Sequence, residues 1–382
     1  MSLTLSKDQQ ADFSRRGFSR RSFGRIATLM GAGAAALPFF GEPALAQLSQ
    51  VKGMPADAVK INANENPLGP CQEAVDAIHS VVKMGGRYSY ELTDDFKELL
   101  AAQEGLMPAN VVPFPGSSAP LHQSVLAFTS PTKSFVIADP GYEAGERAAK
   151  FIGAKVIRVK LTKDYCHDVK AMAAADPNAG ALYLCNPNNP TGTLTPKADI
   201  EWLADNKPAG SVLIIDEAYT HIAGAPFMSH LVAQGKDVVI LRTFSKIYGM
   251  AGIRAGAALG RQDLLEKLTP FSAGALPITG MAAASASLKS KDVVPVRRKI
   301  IGDVRRDVLA FMDKHGFEYV PSVSNKFMVN VKKPGEEVIM AMRKEKVYIG
   351  RVWTSMPTYV RVSVGTQEEM DKFKTAFLKV MA

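Results

Sequence analysis

The chain is expected to fold as an α/β protein, a mostly parallel central sheet flanked by helices, followed by a smaller α+β domain. Three observations predict it. Short apolar runs rich in Val and Ile alternate with helix-like segments, the composition is that of a globular protein, and the patterning changes character after Pro270.

The runs read as buried strands are 135–139, 155–159, 181–185, 212–216 and 238–242. Each is followed by Gly, Pro or Asn and then by a helical pattern, as where Thr195-Pro196 opens a helix with Ile200 and Leu203 on one face. Strands alternating with helices imply a parallel sheet covered on both sides, with functional side chains at the C-terminal strand ends. Beyond Pro270, residues 293–315 form a long amphipathic helix whose apolar face is Ile300, Ile301, Val304, Val308, Leu309 and Met312. Short strands at 327–331 and 359–364 and a last helix from Gln367 complete the smaller domain. Residues 51–71, irregular and rich in Asn and Pro, are expected to pack on it.

Composition narrows the function. Of 382 residues, 47% are apolar and 22% charged, which excludes a disordered or fibrous chain. Three cysteines are too few for a disulfide scaffold, and the six histidines are scattered rather than spaced for a metal. The formal charge is +9, but residues 1–46 carry six basic and three acidic residues, so a third of the excess lies there. That segment contains Arg20-Arg21-Ser22-Phe23, an apolar run at 26–40, and Ala44-Leu45-Ala46. It is expected to be a twin-arginine signal peptide, with a second arginine pair at Arg15-Arg16. The run is shorter than the ~20 residues a span needs, so no stable membrane insertion is expected after export. The expected location is periplasmic, or cytoplasmic if the signal is not used. Expected boundaries are 1–46 for the signal, 47–74 for an arm joining the small domain, 75–272 for the large cofactor domain and 273–382 for the small domain. Arg297, Arg298, Lys299, Arg305 and Arg306 alternate with core positions and with Asp303 and Asp307 on the long helix. They read as a solvated face, and no nucleic-acid partner is expected.

Three strand ends carry the chemistry. Cys185-Asn186-Pro187-Asn188-Asn189-Pro190-Thr191-Gly192 is a tight turn presenting an amide. Asp216-Glu217-Ala218-Tyr219 ends an apolar strand in a carboxylate, and Thr243-Phe244-Ser245-Lys246 precedes Gly252-Ile253-Arg254-Ala255-Gly256. Pyridoxal phosphate needs a lysine for its Schiff base and a carboxylate for its ring nitrogen. It also needs donors for its phenolic oxygen, and hydroxyls, backbone N–H groups and an arginine for its phosphate.

As an ordered set these residues resemble the class I and II, fold-type I, pyridoxal-phosphate aminotransferases, and among them the histidinol-phosphate aminotransferase family. The resemblance runs from Ile61-Asn-Ala-Asn-Glu-Asn-Pro-Leu-Gly69 to Val360-Arg-Val-Ser-Val-Gly-Thr366. It implies that Lys246 forms the Schiff base and moves the substrate's proton, that Asp216 pairs with the pyridine nitrogen, and that Tyr219 and Asn189 hold the phenolic oxygen. It assigns the phosphate to Thr243, Ser245, Arg254 and the turn Gly116-Ser117-Ser118, and ring stacking to Tyr142. Tyr88 would reach a neighbouring subunit's phosphate, which implies a homodimer. Arg361 would fork onto the substrate α-carboxylate with Asn325 beside it, and Arg351 matches an upstream arginine. The implied reaction moves an amino group from an L-amino acid, or an amine resembling histidinol phosphate, to a 2-oxo acid. Another reaction on the same scaffold (decarboxylation, elimination or racemisation) is the alternative, with an exported non-catalytic binding protein behind it. The chain departs from the family at Gly116-Ser117-Ser118-Ala119, which lacks the usual acidic residues, and at Val352-Trp353-Thr354-Ser355-Met356-Pro357, which differs from the usual pocket segment.

Overall fold

The computed structural model describes residues 51–382 apart from 52 and 273, so the expected signal segment lies outside the described residues. In chain order the strands are β1 (Val59–Ile61), β2 (Val111–Phe114), β3 (Ser134–Asp139), β4 (Val156–Lys160), β5 (Ala179–Cys185) and β6 (Val212–Asp216). They continue with β7 (Val238–Thr243), β8 (Gly256–Gly260), β9 (Tyr319–Val320), β10 (Lys326–Asn330), β11 (Val347–Ile349) and β12 (Tyr359–Ser363). Seven of them form the central sheet in the order β2-β8-β7-β6-β5-β3-β4. The sheet is mostly parallel, as expected. The exception is β8, which runs antiparallel to both β7 and β2. Its sequence, Gly-Ala-Ala-Leu-Gly, carries no β-branched residue and gave no strand signal.

Every residue of β5, β6 and β7 is buried, which is why these strands read as unbroken apolar runs. Their register matters for function. Cys185 pairs with Asp216, Asp216 with Leu241, and Thr243 with Gly256, so three polar strand ends emerge side by side. The turn after β5 contains a cis peptide between Asn186 and Pro187. Helix Lys197–Asn206 follows, burying Ile200 and Leu203 as expected.

The smaller unit is a three-stranded antiparallel sheet, β12-β10-β9, with β1 pairing in parallel with β11 beside it. The arm thus docks through a strand, Val59–Ile61, too short to leave a period-two signal. Helix Val293–Lys314 runs along this unit, burying Ile301, Val304, Val308 and Met312. Ile300, expected on the apolar face, is exposed instead. Arg297, expected in solvent, is buried and donates to the Ile247 carbonyl at 3.0 Å, while Arg305 donates to the Ser324 carbonyl. Both reach across the helix flank with long aliphatic stems. Helix Ile278–Lys289, expected to open the small domain, packs against helices Gln72–Val81 and Tyr90–Glu104 of the large one. Its Gly-Met-Ala-Ala-Ala run permits that close approach. Among the described residues no helix is long and apolar enough to cross a membrane.

Candidate active site

The three strand ends, the arm and β12 enclose a cavity of about 210 Å³. Lys246 enters it from the loop after β7, and Asn66 of the arm fixes that loop by donating to the carbonyls of Lys246 and Ile247, both at 3.0 Å. Asp216 ends β6 fully buried. Tyr183 of β5 donates to its Oδ2 at 2.9 Å and the Ala218 N–H to its Oδ1 at 3.1 Å. Burial pushes the Asp216 carboxyl above its ordinary range, against the pull of those two donors and of Lys246 and Lys326. Such a carboxylate is matched to a buried cation.

Beyond the neighbouring end of β7, Thr243 and Ser245 share a hydrogen bond at 2.9 Å, and the Arg254 guanidinium reaches the Ser245 Oγ at 3.3 Å and the Pro115 carbonyl at 2.7 Å. Ser117 and Ser118 line the cavity where helix Ser118–Phe128 begins, the end of a helix that favours phosphate. Gly116 has φ +96°, and a Cβ there would sit 2.3 Å from Nη2 of Arg254. Glycine keeps this cradle open. The cradle has the donors a phosphate requires.

The third wall carries two guanidiniums. Arg361 on β12 is buried, its Nη1 donating to Asn189 Oδ1 at 3.1 Å and its Nη2 to the Asn62 carbonyl at 2.6 Å. Burial lowers its pKa to about 10, with Arg351 adding to the effect. Arg351 also lines the cavity, pairs with Glu143 at 2.5 Å and lies 4.3 Å over the Trp353 ring. Asn189, Tyr219 and Tyr142 line the same space.

Residues 56–377 match the family "Aminotransferase class I and II". The chain belongs to that family. Among its relatives are the histidinol-phosphate aminotransferases of Moorella thermoacetica, 31% identical over 85% of this chain and 86% of the relative, and of Symbiobacterium thermophilum, 33% identical over 84% and 90%. The solved histidinol-phosphate aminotransferase of Sinorhizobium meliloti in complex with pyridoxal-5'-phosphate superposes with TM-score 0.79 at 26% identity, covering 90% of this chain and 95% of that one. This class I/II aminotransferase is therefore pyridoxal-phosphate dependent, and its fold is that of the fold-type I enzymes.

The cavity fits that cofactor, with a lysine, a buried carboxylate and an open phosphate cradle along one path. Two expected residues stand elsewhere. Asn325 is buried but does not line the cavity; its amide donates to the carbonyls of Asn64 and Glu65 at 3.4 and 3.3 Å, holding the arm. Tyr88 is 70% exposed and stacks on Tyr90 with centroids 5.7 Å apart, away from the cavity of its own chain. Conversely, Asn64, to which the sequence assigns no role, donates its amide to Asn189 at 3.3 Å and to the Tyr219 hydroxyl at 3.2 Å. Its φ of +54° and the Ser363 hydroxyl, which donates to Asn64 Oδ1 at 2.9 Å, fix it. The Asn-Ala-Asn-Glu-Asn run was the available signal: amides that dense suit an ordered turn better than an open loop. Tyr183 lay inside an apolar strand and gave no signal.

Proposed function

We propose that this aminotransferase takes an L-amino acid whose α-carboxylate docks on Arg361 and whose side chain carries a second anionic or polar group toward Arg351, with a 2-oxo acid as acceptor. One observation carries the reading: the two guanidiniums border the same cavity as Lys246. The kinship with histidinol-phosphate aminotransferases supports, as an alternative donor, a phosphorylated amine whose phosphate takes the carboxylate's place on these guanidiniums.

When bound, pyridoxal phosphate supplies an electron sink that stabilises negative charge at the substrate's α-carbon. The chain's own residues do the rest. Asp216, anchored by Tyr183, would hold the ring nitrogen protonated. Thr243, Ser245, Arg254 and the Gly116–Ser118 turn would bind the phosphate, while Tyr142 packs on the ring. The Lys246 amine would take the proton from the α-carbon and return it on the cofactor side, as a general base and then acid. Arg361, bidentate to the carboxylate, would fix which α-bond faces that amine. Glu143, on Arg351, would give way to a second anion, making side-chain recognition an exchange of partners.

Two further elements belong to this proposal. A homodimer in which Tyr88 reaches the partner's phosphate is supported by the exposure of Tyr88 and Tyr90 together. Export by the twin-arginine route suits a folded, cofactor-loaded enzyme and would set this one apart from histidine biosynthesis, a cytoplasmic pathway. N-terminal sequencing of the periplasmic form is expected to start at Gln47.

The test is a half-reaction screen in which single amino acids are added to the loaded protein and the visible band is followed. Bleaching with keto-acid release is expected for a small set of acidic or phosphorylated donors. Carbon dioxide release without keto acid would overturn the reading. Lys246→Ala is expected to remove both turnover and the visible band, and a variant that keeps full transamination would sink the role of that lysine.

A further inference from the structure

A second lysine is buried against Tyr219, a residue of the cavity wall. Lys326 opens β10 in the small domain, between Asn325 and the buried Phe327, and its registry partner on β12 is Ser363. A lysine there has no surface to reach, and it is 0% exposed. Its side chain crosses toward the large domain instead. Nζ lies 3.1 Å from the centroid of the Tyr219 ring and donates to the Ser324 Oγ at 2.9 Å. The amine of Lys246 lies 5.8 Å from the same ring, so two lysines from different domains share one aromatic face-contact.

Such a placement is expensive. A buried ammonium with one hydroxyl and one π-face recovers only part of its hydration. Burial accordingly holds Lys326 well below the ordinary lysine range, with Arg361 and Lys246 pushing the same way and Cys185 and Asp216 pulling back. A methionine would fill the same space without that penalty. A buried amine kept at that penalty, on the ring that faces the cofactor, points to a role in the loaded enzyme.

We propose that Lys326 is a positioning residue for the cofactor's phenolic oxygen: as an ammonium on the face of Tyr219, it polarises that hydroxyl toward the oxygen and sets the pH at which the bound cofactor changes protonation. The inference rests on the assignment of Tyr219 to that oxygen. The titratable and charged groups facing Lys326 are Asp216, Lys246 and Arg361, with the Cys185 thiol and the Tyr219 phenol, which burial keeps protonated. Seating the cofactor adds anionic oxygens beside Tyr219 and engages the Lys246 amine, and both changes favour the ammonium. A nearby cation favours the more negative form of the bound cofactor, so it lowers the pH of that transition.

The experiment is a spectrophotometric pH titration of the visible band in the wild-type protein, Lys326→Met and Lys326→Gln, each loaded with pyridoxal phosphate. Both neutral variants are expected to move the midpoint up by about one pH unit. An unmoved midpoint in either variant overturns the proposal, whereas a wild-type protein that acquires no band refutes the cofactor assignment instead. The cofactor-free proteins give a second readout. Because folding holds Lys326 below its unfolded pKa, the folded state resists a proton the unfolded chain accepts, and the penalty is present at neutral pH and fades as pH rises toward about 10.4. Lys326→Met is therefore expected to melt higher than wild type at pH 7, with the gain shrinking above pH 9. Collapse of both variants would show the amine to be structural and overturn the proposal as well.

Discussion

Asp216 shows most directly how single residues are tuned. It ends β6 in full burial, held by the Tyr183 hydroxyl and the Ala218 N–H, and burial raises its pKa. A carboxyl raised in the folded state lowers stability as pH rises through its folded value, so without cofactor the Asp216 charge is a burden at neutral pH. Asp216→Asn is expected to leave the melting temperature of the cofactor-free protein unchanged or higher. Activity should fall by roughly two to four orders of magnitude, the size of breaking a buried ion pair of ~3–5 kcal/mol. Steady-state kinetics beside thermal melts of the cofactor-free protein check both; a parallel loss of stability and activity would count against a purely electrostatic role. Lys326 follows the same logic with the opposite sign. The sequence made Asp216 legible because a carboxylate ending an apolar run is conspicuous, whereas nothing in the residues around Lys326 marks it as buried.

Elements bring such residues together, and β7 depends on a buried charge cluster to do so. Arg242 precedes the phosphate-side Thr243. It donates to Glu104 of helix Tyr90–Glu104 at 3.1 and 2.9 Å, to Ser229 at 3.2 Å, pairs with Glu217 beyond β6, and lies 4.1 Å over the Phe227 ring. Burial pushes Glu104 up, yet Arg242 brings it below its ordinary value. Arg242→Met is expected to destabilise the protein by about 3–5 kcal/mol, because two buried carboxylates lose their cation. Urea unfolding with an unchanged slope measures it, and a loss under 1 kcal/mol would mean that the carboxylates find other partners. The apolar runs made β3, β5, β6 and β7 readable within a residue or two. The strands β1, β2, β8, β9 and β11 were not readable, being two to five residues long or lacking β-branched side chains, and so defined by their pairing partners.

Across the whole molecule, burial makes stability depend on pH. Burial holds His122 at about 4, His167 at about 3 and His221 at about 4. Each stays neutral when folded and gains a proton near 6.5 when unfolded, so its contribution is intact above that value and is lost as pH falls toward 4. The melting temperature is expected to fall steadily between pH 6.5 and 4.5, with each histidine contributing about 2 kcal/mol of the loss by pH 5. A flat profile over that window would show these rings to be solvated. The central strands are legible in the sequence because local apolar runs encode them. The partners of helix Ile278–Lys289 are not, since its small residues fit many surfaces until packing chooses helices Gln72–Val81 and Tyr90–Glu104.

By itself the sequence determined the α/β class, the order of the three strand ends and the ordered set from Asn186 to Arg254. Those features reside in residue type and short-range spacing. Only the tertiary structure decided that Asn64 and Asn66 of the arm lock Tyr219, Asn189 and the Lys246 loop, and that Lys326 spans two domains to reach Tyr219. Those contacts join residues more than a hundred positions apart, where chain-local chemistry carries no information about which side chains meet.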